Sequence, residues 1–474
     1  MQRFKGFFDL DIIEESTSVE TFRFTEQIPY YGSTVEGQTY SFNSNSTKYR
    51  WVAKDLPGLK IEPYTDNIIN YLGTMHFELI RIQFPRAPVR NYTSSWDDAN
   101  EFILDNDGFG EYIAEAGSAW DHYMIDAPSE SIMESILWAL NTARENISWN
   151  QRSSVLAVDS PENVLRNGSG NSAEVNLLLL GLLRNLEIEA YPVVLSTVDN
   201  GRLFSDSPTI TQWNYVVVLV KIPGEDDILL DATANHPIPG YLPQRAINGR
   251  GRTVDKNVSH WVDLESNILN KQNREYDILI NNNGDIQGSL KIEFYDFGKY
   301  IQKQKLKKLG EQEYIEKLSN DLGFVIENSE IEWNECMNEP MVIEGELNVS
   351  EYAQVIGNEL IMPSLLFETT EENIFRKDER LYPVYFNSTL DSEITFNIEL
   401  EDNLDFAYIP EDTELRRGMR FIHKLSFKED GNKLHIIQNN VRNRRVVPAE
   451  NYNGLKQFYN RKIDNLEQIV LKIK

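Results

Sequence analysis

The stretch from Gly168 to Thr197, GSGNSAEVNLLLLGLLRNLEIEAYPVVLST, constrains the fold more than any other part of the chain. It reads as a glycine-rich turn, then a helix, then a buried strand. Gly168 and Gly170 supply backbone angles that other residues resist. Ser172 stands where the turn becomes a helix, at an N-cap or first-turn position. Val175, Leu178, Leu179, Leu182, Leu183 and Leu186 form an apolar stripe at helical spacing. Leu177 and Leu180 widen that stripe, which predicts a central helix rather than a surface one. Ala190 to Leu195, with its paired valines, reads as a strand.

Two more strands are expected downstream, at about 212–222 and 227–231. They carry Trp213-Asn214-Tyr215-Val216-Val217 and Leu229-Leu230-Asp231-Ala232-Thr233. Together with Gly170-Asn171-Ser172-Ala173-Glu174, this order resembles the core of the transglutaminase-like (papain-like cysteine protease) superfamily. In that family a glycine-rich turn places a nucleophilic Cys at the N-terminus of a buried helix, and two later strands supply a His and an Asp. The resemblance puts Ser172 at the Cys position, Tyr215 at the His position and Asp231 at the Asp position.

Only the aspartate is kept, so the frame fits the family while the chemistry does not. An alcohol is a weak nucleophile without a neighbouring base. A tyrosine with a pKa of about 10 is protonated at neutral pH and cannot take the proton as imidazole would. We therefore expect no catalytic residues: Ser172 caps its helix and Tyr215 pairs with Asp231. The competing expectations are an active hydrolase or acyltransferase that uses Ser172 with an unidentified base, and a purely structural module. His236 follows Asp231 closely enough to be considered as that base, although a loop role before Pro237 is expected. His122 is expected at a helix end and His76 on a strand of another domain.

At 474 residues the chain should hold two to four domains. Residues 1–90 read as an antiparallel β-sandwich, with strands at 21–24, 48–52 and 75–84 and turns at 31–33 and 41–46. The segment WVAKDLPGLKIEPY resembles the end of a β-sandwich domain that precedes transglutaminase-like domains in exported Bacteroidetes proteins. Helices beginning near Ser95, Ser129 and Ser160-Pro161 then lead into the glycine turn, giving an α+β domain over 95–260. Residues 275–474 read as a β-rich domain. It should contain a hairpin at Asn282-Asn283-Gly284, a helix over 299–318 interrupted near Gly310, a helix over 452–464 and a last strand over 468–473. The motifs from Arg380 to Lys472 resemble the C-terminal β domain of the same bacterial architecture. The expected class is thus α+β multidomain: N-terminal β-sandwich, transglutaminase-like α+β core, C-terminal β-rich domain. Flexible joints are expected near 86–94 and 262–274.

The net charge of −28 argues against nucleic acid and against an anionic membrane surface as partners. There is no run of about eighteen apolar residues, hence no expected transmembrane helix. Cys336 is the single cysteine, so no intrachain disulfide can form. No metal or cofactor is expected. Asp105-Asn106-Asp107-Gly108 starts like a Ca²⁺ loop but lacks the distal Glu, no His or Cys pair has zinc spacing, and Gly168-Ser-Gly170 lacks the Walker lysine. The expected partner is a peptide, protein or glycan. The opening MQRFKGFFDLDIIEE is too acidic for a signal peptide and begins in β-sequence, so we expect a removed leader. The resemblance implies a periplasmic or exported location in a Gram-negative bacterium.

Overall fold

The computed structural model describes the chain apart from residues 1, 6–10, 31–32, 53, 55–57, 73, 78, 80, 84–87, 92–94, 127–130, 204–207, 335–338 and 370–371. It is an α+β protein of two compact units, one of residues 1–61, 67–102 and 204–210, the other of residues 62–66, 103–203 and 211–474. Among the described residues no helix is long and apolar enough to cross a membrane.

The first unit is β-rich, but not in the expected way. Asp11–Tyr30 and Ser33–Val52 form one long antiparallel pair. Gln2–Lys5 pairs with Thr74–Phe77, and Arg81–Ile82 with Arg90–Asn91. Among the described residues these are three separate two-stranded pairings, and no pair of stacked sheets forms the expected sandwich. The physical reason lies in the sequence. At the middle of the ribbon Ser16-Thr17-Ser18 faces Ser46-Thr47-Lys48, a polar stretch that offers a second sheet little apolar surface to cover, although Phe22 and Phe42 pair further along. Ser41–Ser46, expected as a turn, lies inside a strand, where Thr21 donates to Asn43 at 2.8 Å and Phe22 stacks on Phe42. The expected joint at 86–94 falls largely outside the described residues.

The second unit contains the glycine turn and its helix. Pro161–Asn167 is a short helix with Ser160 as N-cap and proline in its first turn. It ends at Gly168, whose φ of 64° explains the glycine there. Gly170 has no such angle. It is small because a Cβ would meet Glu174 Cβ at 2.9 Å and Val164 Cγ1 at 3.0 Å. The central helix then runs Ser172–Asn185, buried on every side from Ser172 to Leu183. At Gly181 it approaches the helix Tyr112–Ala116 so closely that a Cβ would lie 2.7 Å from that of Ala116. Trp120 Nε1 donates to Leu178 O at 2.9 Å and Tyr112 OH to Glu174 O at 3.2 Å, which fixes the outer helices on the central one.

A five-stranded antiparallel sheet lies on the other side of this helix. Its order is Ile228–Leu230, Tyr215–Val220, Ala190–Leu195, Arg250–Thr253, Trp261–Asp263. Tyr215, Val217 and Leu219 belong to a core with Tyr241, Phe297 and Tyr300. Val216, Val218 and Val220 are equally buried and point to the opposite face.

Beyond it lies an eight-stranded sheet in the order 327–332, 341–349, 286–295, 269–280, 389–400, 433–442, 421–430, 413–417. Its single parallel pairing joins Leu269–Ile280 to Thr389–Leu400. The hairpin at Asn282–Gly284 forms as expected, with Gly284 at φ 78° between strands registered Ile280 to Ile286. The expected charged helix is present as Asp296–Leu309 and Glu311–Leu322, broken at Gly310. Tyr452–Asp464 and Gln468–Ile473 take the expected helix and strand. Within the expected joint at 262–274 the chain becomes strand from Leu269, which pairs with Thr389–Leu400, and from Lys271 it pairs with Ile286–Tyr295 as well. A four-stranded sheet containing Glu359–Pro363 and Gln468–Ile473 shares one apolar core with the eight-stranded sheet, through Leu360, Met362, Ile469 and Leu471.

Candidate functional site

The helix N-terminus is built by a capping box. Asn171 Oδ1 accepts from Glu174 N at 3.0 Å, and Glu174 Oε2 accepts from Asn171 N at 2.6 Å. The cap is therefore Asn171, not Ser172; Ser172 is the first helical residue. Glu174 also ties down the preceding chain, its Oε1 accepting from Val158 N at 2.8 Å and Asp159 N at 2.9 Å.

This arrangement leaves the Ser172 hydroxyl facing a backbone rather than a base. Ser172 Oγ donates to Ser154 O at 2.9 Å and accepts from Ser154 N at 2.8 Å. Ser172 is fully buried, with 0% of its surface exposed. Neither bond goes to Tyr215 or Asp231, so the three triad-equivalent positions do not form a hydrogen-bonded chain.

Tyr215 and Asp231 are joined. Tyr215 OH donates to Asp231 Oδ2 at 2.9 Å. Thr233 Oγ1 donates to Asp231 Oδ1 at 2.6 Å, and Thr233 N donates to the same oxygen at 2.9 Å. Asn176, on the central helix, donates from Nδ2 to Asp231 Oδ1 at 2.9 Å and to Val216 O at 2.8 Å. Its Oδ1 accepts from Ala232 N at 2.8 Å, so one amide locks helix, strand and carboxylate together.

The positive charge that balances Asp231 comes from Arg245, in the Gln244–Ala246 turn. Arg245 Nε donates to Tyr215 OH at 2.9 Å, and its second nitrogen donates to Thr233 Oγ1. The guanidinium reaches Asp231 Oδ2 only at 3.8 Å, so the pairing is relayed mainly through the two hydroxyls. Trp149 closes the assembly, its ring 4.2 Å from the guanidinium carbon and edge-on to Tyr215. Trp149 is brought there by the short parallel pairing of Ser148–Trp149 with Ser169–Gly170.

The electrostatics follow from the geometry. Burial pushes the Tyr215 hydroxyl well above its ordinary pKa, and the Asp231 carboxylate adds to this while Arg245 and Thr233 oppose it. Burial alone would lower Arg245, but Asp231 and Tyr215 hold it above its ordinary value. Tyr215 is thus a neutral donor, Arg245 a fixed cation and Asp231 an acceptor fully engaged by its neighbours. Nothing in this set can remove a proton from Ser172.

The other candidates lie elsewhere. His236 is half-buried and lines a neighbouring cleft that Ser172 does not reach. His122 is exposed in the stretch Ser118–Asp126. The His76 side chain and Cys336 lie outside the described residues. Asn106 caps the turn that starts at Asp107, accepting from Gly108 N at 3.0 Å. Sequence reasoning misses Arg245, Asn176, Thr233 and Trp149. The available signal is Leu242-Pro243-Gln244-Arg245, which marks a segment following the core without saying where its arginine points.

Residues 358–471 match a family described as a domain of unknown function with a solved structure (DUF3858). No curated protein matches the chain. Among solved structures, the chain is similar to that of a candidate protease from Parabacteroides distasonis ATCC 8503, at 11% identity and TM-score 0.49, covering 97% of this chain and 70% of the other. It is also similar to a candidate cysteine protease from Cytophaga hutchinsonii, at 14% identity and TM-score 0.19, covering 54% of this chain and 75% of the other.

Proposed function

We propose that this chain is a catalytically inactive transglutaminase-like protein, exported from a Gram-negative cell, that acts by binding a peptide, protein or glycan or in envelope assembly. The three-part division into 1–90, 95–260 and 275–474 belongs to the same proposal. The observation that carries the reading is the double engagement of Ser172 by the Ser154 peptide, with no base within its hydrogen bonds. General-base assistance is typically worth about a hundred- to ten-thousand-fold, and Tyr215 cannot supply it. The sealed network around Asp231 equally supports a second reading, a purely structural module. The open cleft beside that network favours binding.

The test is turnover. Purified protein incubated with peptide and acyl-donor substrates should give product at no more than the rate of a Ser172→Ala variant. Turnover above that variant would favour the hydrolase or acyltransferase reading.

A further inference from the structure

The second unit carries a cleft of about 500 Å³ beside Trp149 and Thr233. That size lies within the roughly 300–1,000 Å³ range of small-ligand clefts. Its walls come from the C-terminal end of Ile132–Asn146, from residues 147–151, from residues 232–236 and from the last turns of Asp296–Leu309.

The charge of these walls is the reverse of the chain's. The protein has 74 acidic against 46 basic residues. The described residues lining the cleft include Arg144, Lys307 and Lys308 and no Asp or Glu. No carboxylate among the described residues pairs with any of these three cations. Arg144 donates to Asn235 O at 2.7 Å, which holds its guanidinium at the rim while its Nε stays buried without a partner. Lys307 lies over Trp333 with its ammonium 4.7 Å from the ring centroid, a contact that leaves the charge uncompensated. His236 adds a further titratable group.

The remaining lining suits a peptide. Trp149 offers an aromatic wall. Gln151, exposed at the rim, has a φ of 67°, a left-handed conformation that a non-glycine residue rarely adopts, and such outliers cluster at ligand sites. The cleft is far larger than one carboxylate or phosphate ion needs. Low-dielectric walls focus the field of the cations inside it, while the acidic residues elsewhere are screened beyond a Debye length of about 8 Å at physiological salt.

We infer that this cleft binds an acidic peptide segment, with Arg144, Lys307 and Lys308 taking its carboxylates and Trp149 forming an apolar wall. The inference rests on the binding reading above and names the class of ligand. Calorimetric titration of the full chain at physiological ionic strength tests it, with hexaglutamate, hexalysine and inorganic phosphate as probes. Hexaglutamate should bind and hexalysine should not. The double variant Lys307→Glu/Lys308→Glu, two exposed positions, should lose at least tenfold in affinity while its circular dichroism spectrum shows the fold retained. Equal affinity in that variant, no binding of hexaglutamate, or phosphate binding as tightly as the peptide would each overturn the inference. Mass spectrometry of the recovered peptide separates the two claims. An intact bound peptide agrees with both, whereas a cleaved one overturns inactivity and leaves the ligand class standing.

Discussion

Two buried polar clusters in the second unit are built on opposite plans. Around Asp231 every group has a partner: the carboxylate accepts from Tyr215, Thr233 and Asn176, and the two hydroxyls accept from Arg245. Around His423, beneath the helix Tyr452–Asp464, the satisfaction is incomplete. Asn440 Oδ1 lies 2.9 Å from His423 Nδ1 and accepts from Lys462 Nζ at 3.0 Å. The amide oxygen can only accept, so His423 must carry its proton on Nδ1. Its Nε2 is buried with no hydrogen-bond partner. The first cluster keeps its charges by pairing them through hydroxyls. The second keeps its histidine neutral, because burial first and Lys462 second lower the pKa to about 4. A saturated network is a structural device, whereas an unsaturated one is where pH acts.

The largest effect should come from opening the saturated cluster. Asp231→Ala leaves a mostly buried guanidinium without its carboxylate, and four donor groups, Tyr215 OH, Thr233 Oγ1, Thr233 N and Asn176 Nδ2, without this acceptor. Breaking a buried pair in this way costs about 3–5 kcal/mol. Chemical denaturation should show a loss of that order, and a loss under about 1 kcal/mol would mean that the network contributes little.

The unsaturated cluster should show itself in acid. The folded pKa of His423, about 4, lies below the ordinary 6.5, so the unfolded chain binds the proton first as pH falls. The stabilisation is complete above pH 6.5 and is lost progressively towards pH 4. It amounts to about 3 kcal/mol, since each tenfold change in proton affinity is worth about 1.36 kcal/mol. His423→Gln has no such proton to bind, so its stability should fall less steeply between pH 6.5 and 4 than that of the wild type. Parallel slopes would refute this origin.

The comparison also marks what is legible in the sequence. The central helix and the strand after it can be read because the leucine stripe and the paired valines are local patterns. So can Gly310 and the 452–464 helix. Asn171 carries the signal of its own capping role, an acid three residues on at Glu174, but Ser172 beside it is an equally good cap type and competes for the role. The role of Arg245 is not legible, because it depends on a loop folding back from Asp231 onto Tyr215. The N-terminal sandwich is expected from β-rich stretches and the WVAKDLPGLKIEPY resemblance, signals that locate strands but do not say how their sheets pair.

The central claim is that Ser172 is chemically silent because its hydroxyl is held by the Ser154 backbone and has no base. The most direct measurement is exposure of the wild-type protein to a serine-directed acylating probe, with the adducts mapped by mass spectrometry. The account predicts no adduct at Ser172 in the folded protein. An adduct at Ser172, absent when the protein is unfolded first, would show an activated nucleophile and contradict it.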